Sequence, residues 1–344
     1  MLKKRGRTLT SIKMIDYDIS IQKDALNELP SFIMKATSSK SLFIITDQHL
    51  YHLYHERLSL ILKDFFVQYV IVEPGETSKS LRVYEHVCQT LIEKGIRRSD
   101  FIIAFGGGVV GDLAGFVAST LYRGIPFAQL PTSLLAMVDS SIGGKVGIDL
   151  PQGKNVLGSF YNPKFVLIDP ELLKTLNDRE YENGIAEMIK AGLIGDKKLY
   201  HFLLDHKEVT ENEIQIAICV KRELVLNDPY DFADRMKLNF GHTFGHAIEK
   251  KHHYQTYLHG EAISYGMLFA LEIGMTLNET KPELYDEVKH LLIKRGLVKE
   301  PLLSMDDYKD GISHDKKLLS DGLHFIIVTK PGDSKIVTLK PEDL

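Results

Sequence analysis

Three short stretches in the second half of the chain carry residue types suited to holding a divalent cation. In LNFGHTFGHAIE, His242 and His246 stand at i and i+4, which puts both imidazoles on one side of a helix. In LHGEAISYG, His259 precedes Gly260 at the start of an apolar run that reads as a helix. In GIAEMIKAG, Glu187 and Lys190 are three apart and share a helical face. A Glu–Lys pair at that spacing is ordinarily a solvated ion pair. Here it sits among Ile185, Ala186, Met188, Ile189 and Ala191, a poor setting for a solvated face. Imidazole and carboxylate suit zinc, and three protein ligands with an open position make a catalytic rather than a structural site. Spacing alone leaves open which three of Glu187, His242, His246 and His259 would bind. His252 and His253 follow Lys250 and Lys251 and read as a solvated helix end.

The first half holds a different kind of site. The apolar run Phe101 to Phe105 reads as a buried strand of a parallel sheet. Gly106, Gly107 and Gly108 follow, then Val109, Val110, Gly111 and Asp112, and the segment Leu113 to Leu121 reads as a buried helix. A strand, a glycine turn and a helix N-terminus make an anion site suited to a dinucleotide pyrophosphate. Gly106, Gly108 and Gly111 match G-x-G-x-x-G, but the usual acid about 20 residues later is missing. The alternatives are a simple tight turn or a ribose acid supplied from elsewhere, with Asp47 at the end of the strand Leu42 to Thr46 the obvious source. Downstream, Arg123, Asp139, Lys145, Lys154 and Asn155 are spaced by further glycine turns. Loops so rich in glycine and spaced charge are read as built to hold something.

The elements that must position these residues alternate. Residues 15 to 22 suit an edge strand, and Asp24 to Phe32 a short helix. Ser41 to Thr46 reads as a strand, followed by a helix to about Leu62 and a strand from Phe66 to Val72. The turn Glu73 to Lys79 offers Thr77 or Ser78 as a cap for a helix carrying Leu81, Tyr84, Val87, Cys88 and Leu91 and stopping at Gly95. Phe165 to Ile168 is a further strand, closed by Asp169-Pro170. Such alternation predicts an α/β, Rossmann-like, doubly wound parallel sheet with its ligand at the carboxyl ends of the strands, where Asp47, Glu76, Lys79 and the glycine turn lie. Later residues are mainly helical, ending in a hairpin of Phe325 to Thr329 with Lys335 to Leu339. The expected domains are 1–171 and 172–344.

With 344 residues the chain can bury a large core, and 44% hydrophobic and 26% charged content is ordinary for a globular protein. A net charge of −4 gives no electrostatic case for nucleic acid or an anionic membrane. The basic start MLKKRGR is not followed by an apolar h-region, and no stretch approaches a membrane span. Cys88 and Cys219 fall within helical patterns and read as buried free thiols in a reducing compartment, so a cytoplasmic enzyme is expected.

The run RGIPFAQLPTSLLAMVDSSIGGKVGI followed by GKN, after GGGVVGD, closely resembles the 3-dehydroquinate synthase family. The resemblance covers nearly the whole chain. It implies an N-terminal NAD-binding domain, a C-terminal helical domain carrying zinc (cobalt being the other metal admitted), an active site between them, and a homodimer. The family's metal pattern falls on Glu187, His242 and His259, which makes His246 a supporting or substrate-contacting residue. Its substrate pattern falls on Arg123, Asp139, Lys145, Asn155, Lys190, Lys221, Arg235, Asn239, His246 and Lys316, the last in uncertain register with Lys317. Its NAD pattern falls on Asp47, Glu76, Lys79, Gly107, Gly108, Val109, Val110, Gly111, Asp112, Thr132, Ser133, Lys145, Lys154, Leu172 and Thr175. Ser133 stands where threonine is more frequent, Asp149 where asparagine is, and Pro229 follows Asp228 in place of an acid.

The implied reaction converts 3-deoxy-D-arabino-heptulosonate 7-phosphate into 3-dehydroquinate and phosphate. A hydroxyl is oxidised, phosphate is eliminated, the hydride is returned, and the ring opens and recloses by an aldol step. Lys145, Asn155, Lys190 and Lys221, with Arg123 from a neighbouring subunit, suit the substrate's phosphate and carboxylate. The rival readings are another NAD- and metal-dependent sugar phosphate cyclase such as 2-deoxy-scyllo-inosose synthase, a polyol or glycerol-phosphate dehydrogenase, and a non-catalytic NAD-binding protein.

Overall fold

The computed structural model describes residues 9–231, 233–309 and 322–339. The chain divides between Leu176 and Asn177 into two compact units. The first contains β1 (Thr10–Lys13), β2 (Asp18–Ile21), α1 (Leu29–Ala36), β3 (Ser41–Asp47), α2 (Gln48–Ile61), β4 (Phe66–Val72), α3 (Leu81–Glu93), β5 (Phe101–Gly106), α4 (Gly108–Thr120), β6 (Phe127–Pro131), β7 (Lys145–Leu150), β8 (Gly153–Phe160) and β9 (Phe165–Ile168). The second contains α5 (Asp178–Ile194), α6 (Lys197–Asp205), α7 (Glu211–Asn227), α8 (His242–Lys251), α9 (His259–Thr276), α10 (Pro282–Lys294), β10 (Leu323–Lys330) and β11 (Asp333–Leu339). No helix among the described residues is long and apolar enough to cross a membrane.

In the first unit seven strands form one sheet in the order β1-β2-β9-β6-β5-β3-β4. Every neighbouring pair is parallel except β1 with β2. Strands β3, β5 and β9 are near-continuous apolar runs because helices cover both faces of the sheet. From β3 the chain winds outward to β4, then crosses back to β5 on the other side of β3. The winding direction therefore reverses between β3 and β5, which is where such sheets open a crevice at their carboxyl ends.

Several local expectations needed correction. The strand expected over 15–22 is β2, which lies inside the sheet, while the edge is β1. The helix expected over 24–32 is a 3₁₀ turn, Ala25–Glu28, followed by α1. The cap of α3 is Ser80, whose hydroxyl accepts from Val83 N, because Thr77 and Ser78 are taken up in a 3₁₀ turn. Helix α4 begins at Gly108 rather than Leu113, since burial outweighs the poor helix propensity of its glycines. The charged, glycine-rich stretch after it contains an antiparallel hairpin, β7–β8. Cys88 and Cys219 are free and half-buried, on α3 and α7.

Asp169, just past β9, ties the N-terminal segment to the sheet. Fully buried, it accepts from the backbone N–H of Asp24 (2.9 Å), Leu26 (3.2 Å) and Glu171 (3.1 Å). Burial pushes its carboxyl up, and these three donors oppose that shift. Removing an acceptor strands its donors. Asp169→Ala should therefore cost about 3 kcal/mol, read from the urea midpoint. A change below about 0.5 kcal/mol would mean that water satisfies the three donors.

In the second unit, helices α5, α8 and α9 pack around one point. Glycine makes the approach possible. A Cβ on Gly260 would lie 2.4 Å from Asn183 O, and one on Gly266 would lie 1.9 Å from Gly241 O. Gly241 itself takes φ +79° before α8, a left-handed conformation that glycine adopts without strain.

Candidate active site

The glycine turn sits where β5 meets α4. Gly107 is the N-cap of α4 and supplies no side chain, so the first-turn N–H groups face outward without a side-chain acceptor. A Cβ on Gly107 would meet Ser133 Oγ at 3.3 Å, and one on Gly108 would meet Ser140 Oγ at 3.0 Å. The turn is thus lined by hydroxyls and backbone donors, the chemistry that an anionic diphosphate needs. Thr132 N donates to Gly106 O at 3.0 Å, which keeps Thr132 and Ser133 beside the turn. Asp47 ends β3, the sheet neighbour of β5, and its carboxylate accepts from Leu50 N at 2.9 Å. The Val110 side chain faces the core and Leu172 is buried, so only their backbones are available to a ligand. Thr175 bonds Tyr54 Oη at 2.8 Å.

Lys79 organises the same region. Its Nζ reaches Asp112 Oδ2 at 2.7 Å, Asn155 Oδ1 at 2.5 Å and Glu76 Oε1 at 3.8 Å. Lys154 also pairs with Glu76, at 3.5 Å. Burial pushes the Asp112 carboxyl up, and the Lys79 ammonium opposes it. Burial likewise works against the Lys79 charge, but Asp112 and Glu76 outweigh it and hold the ammonium in its charged form. Asn155 adopts φ +55°, which asparagine tolerates better than most residues, and its N–H donates to Asp149 Oδ1 at 2.8 Å. Arg123 is exposed at φ +63°, Asp139 lies in a single π turn (Ala136–Ser140), and Lys145 is exposed at the start of β7.

In the second unit, α5 presents Glu187 and Lys190, 3% and 2% exposed, with Nζ 2.5 Å from Oε2. The other oxygen, Oε1, is buried without a hydrogen-bond partner. Two imidazoles face it. His242 Nε2, from the first residue of α8, is 3.6 Å away, and His259 Nε2, from the first residue of α9, is 3.3 Å away. Asn183, one helical turn before Glu187, accepts from Gly260 N at 2.5 Å and so fixes the start of α9 against α5. The ligand atoms of Glu187, His242 and His259 all lie within 4.8 Å of one another. A carboxylate oxygen and two imidazole nitrogens around an unsatisfied buried anion are a fitting donor set for zinc or a similar cation. Burial pushes the Glu187 carboxyl up, but Lys190 and His259 prevail and hold it down to about 2. Burial opposes protonation of His259 too, yet Glu187 and Glu249 raise it to about 9. Burial and the nearby Lys190 charge keep His242 well below the ordinary range, hence neutral.

The remaining candidates distribute as follows. His246 is exposed, its ring 5.4 Å from that of His242. Arg235 is buried and donates through Nη1 to Pro229 O at 2.6 Å, so the proline after Asp228 supplies an acceptor. Asp228 Oδ2 accepts from the N–H of Ala233 and Arg235. Lys221 lies buried on α7, and Asn239 is exposed before α8. Lys316 and Lys317 lie outside the described residues. Sequence reasoning passed over Asn183 and Glu249. Glu249 lies seven residues after His242, two turns along the same helix face, and that was the available signal.

Comparisons with known proteins give one family. Residues 69–183 match the 3-dehydroquinate synthase N-terminal model, and residues 184–318 match the C-terminal model. A 3-dehydroquinate synthase from Clostridium kluyveri is 42% identical over 96% of this chain and 94% of that one. One from Clostridium perfringens is 44% identical over 93% and 94%. Among solved structures, a 2-deoxy-scyllo-inosose synthase complexed with carbaglucose-6-phosphate, NAD+ and Co2+ superposes with a TM-score of 0.84 at 26% identity, covering 98% of both chains. The family models take in both compact units, and the chain belongs to the 3-dehydroquinate synthase family.

Proposed function

We propose that this chain catalyses the 3-dehydroquinate synthase reaction, turning 3-deoxy-D-arabino-heptulosonate 7-phosphate into 3-dehydroquinate and phosphate, as a cytoplasmic homodimer. The observation that carries the reading is Glu187 Oε1, buried, unsatisfied and faced by two imidazole Nε2 atoms. Glu187, His242 and His259 would hold the cation. The N-terminal domain would hold NAD, through the glycine turn Gly107–Asp112, with Thr132, Ser133, Lys154, Leu172 and Thr175 alongside and Asp47 on the ribose. When bound, NAD supplies a hydride acceptor that is later restored, and the cation lowers the pKa of the hydroxyl to be oxidised.

The chain's own residues supply position and charge. Lys79 fixes the first turn of α4 through Asp112 and fixes Asn155 beside it. Lys190 keeps Glu187 ionised, ready to act as a ligand. By the family resemblance, Arg123, Asp139, Lys145, Asn155, Lys190, Lys221, Arg235, Asn239 and His246 would be the substrate-contacting residues. The lysines and arginines among them suit an anionic sugar phosphate, whose phosphate and carboxylate accept charge-assisted hydrogen bonds.

Lys145 matches both the substrate and the NAD patterns of the family, and its exposed position favours the substrate. Lys145→Ala should therefore weaken substrate binding by about 10- to 100-fold, the worth of a charge-assisted hydrogen bond, while NAD binding survives. Titration with each ligand separately decides it, and equal losses for both would refute the placement.

The decisive assay combines the protein with the heptulosonate phosphate, NAD and zinc. Phosphate and dehydroquinate should appear without net NADH. A polyol dehydrogenase would instead accumulate NADH in step with product. The identity gap disfavours the inosose synthase alternative, with 38–44% to curated 3-dehydroquinate synthases against 26% to that enzyme.

A further inference from the structure

We infer that Glu249 is a positioning residue for His259, setting which ring nitrogen faces the cation; the inference rests on the metal-site reading above. A neutral imidazole can coordinate through one nitrogen only if the other carries the proton and has somewhere to donate it. Both site histidines are arranged this way. His242 turns Nε2 toward Glu187 and places Nδ1 3.2 Å from Phe240 O. His259 turns Nε2 toward Glu187 and places Nδ1 3.6 Å from Glu249 Oε1, within charge-pairing range. The acceptor behind His242 is a backbone carbonyl, fixed by the chain itself. The acceptor behind His259 is a side chain that sequence can change.

Glu249 is 2% exposed. A carboxylate is costly to bury unless a donor is held against it, so its place behind the imidazole is specified rather than incidental. Its position on α8 matters too. His242 and Glu249 are separated by two helical turns, so one rigid helix contributes a ligand on one side of His259 and its Nδ1 acceptor on the other. His246, between them, is exposed, its ring 6.3 Å from that of His259. Glu249 could alternatively act as a ligand itself, because His246, Glu249 and His259 also bring donor atoms together. That arrangement would require His259 to give up its Nδ1 proton, and it predicts a second bound cation.

The test is zinc affinity of the metal-free full-length protein by chelator competition, with bound equivalents counted. Wild type should bind one zinc per chain. Glu249→Ala should weaken binding by about 10- to 100-fold, the range for losing such a partner. Glu249→Gln keeps a neutral acceptor at the same place and should recover most of the loss. Melting of the metal-free variants separates positioning from packing, since Glu249→Gln and wild type should melt alike. Wild-type affinity in Glu249→Ala, or a loss that Glu249→Gln does not recover, overturns the inference. Two zinc equivalents in wild type falling to one in Glu249→Ala overturns it in favour of a ligand role. If wild type binds no zinc, or Glu187→Ala binds it unimpaired, the metal-site reading itself falls.

Discussion

Glu187→Ala is expected to bind zinc several hundred-fold to a thousand-fold more weakly and to lose turnover with it. Structural zinc sites are worth about 10–16 kcal/mol over their ligands, so one ligand carries on the order of 3–4 kcal/mol. The substitution also leaves Lys190 buried, charged and unpaired, which costs about 3–5 kcal/mol of stability. A dead variant would therefore be ambiguous by itself. Pairing Glu187→Gln with Lys190→Met removes the stranded ammonium, so melting should return toward wild type while zinc binding does not. Metal analysis decides between the readings: full zinc occupancy in Glu187→Ala would refute the ligand assignment.

Gly266→Ala should destabilise the second unit by about 3 kcal/mol or more, although alanine is the better helix former by about 1 kcal/mol. The sign follows from the contacts. The new methyl would stand 1.9 Å from Gly241 O and 2.9 Å from Gly245 N, both backbone atoms that cannot rotate aside. Helices α8 and α9 would have to separate, and with them His242 and His259. Loss of zinc affinity should accompany the fall in unfolding midpoint. A variant as stable as wild type would show that the helices are not held at the approach described.

Much of this site was legible in the residues. Apolar runs flanked by turns gave β4 and β9 their limits: β9 is a fully buried parallel strand and so a continuous apolar segment, while β4, at the sheet edge, is bounded by its turns. The Glu187–Lys190 pair was legible as a buried one because of the residues beside it. Four things were not. The start of α4 was hidden by glycines, whose propensity argues against helix where tertiary packing demands it. The β7–β8 hairpin was hidden because its glycines and charges read as loop. The choice of ligands among Glu187, His242, His246 and His259 was not in the spacing, since spacing fixes faces within a helix and says nothing of which helices meet. Glu249 was missed for the same reason, its partner lying on another helix.

The tie between Asp169 and the N-terminal segment has a consequence for synthesis. Asp24 N and Asp169 are 145 residues apart in sequence, and β2 pairs with β9 across a similar interval. At about 5–20 residues per second, a nascent chain leaving the ribosome carries β2 for roughly 7 to 30 s before its partner emerges. During that interval Ile19 and Ile21, fully covered in the finished sheet, have β1 on one side but lack β9 on the other. The segment from β2 to Leu26 is thus made well before the partners it docks on, and chaperones can reach it in the meantime.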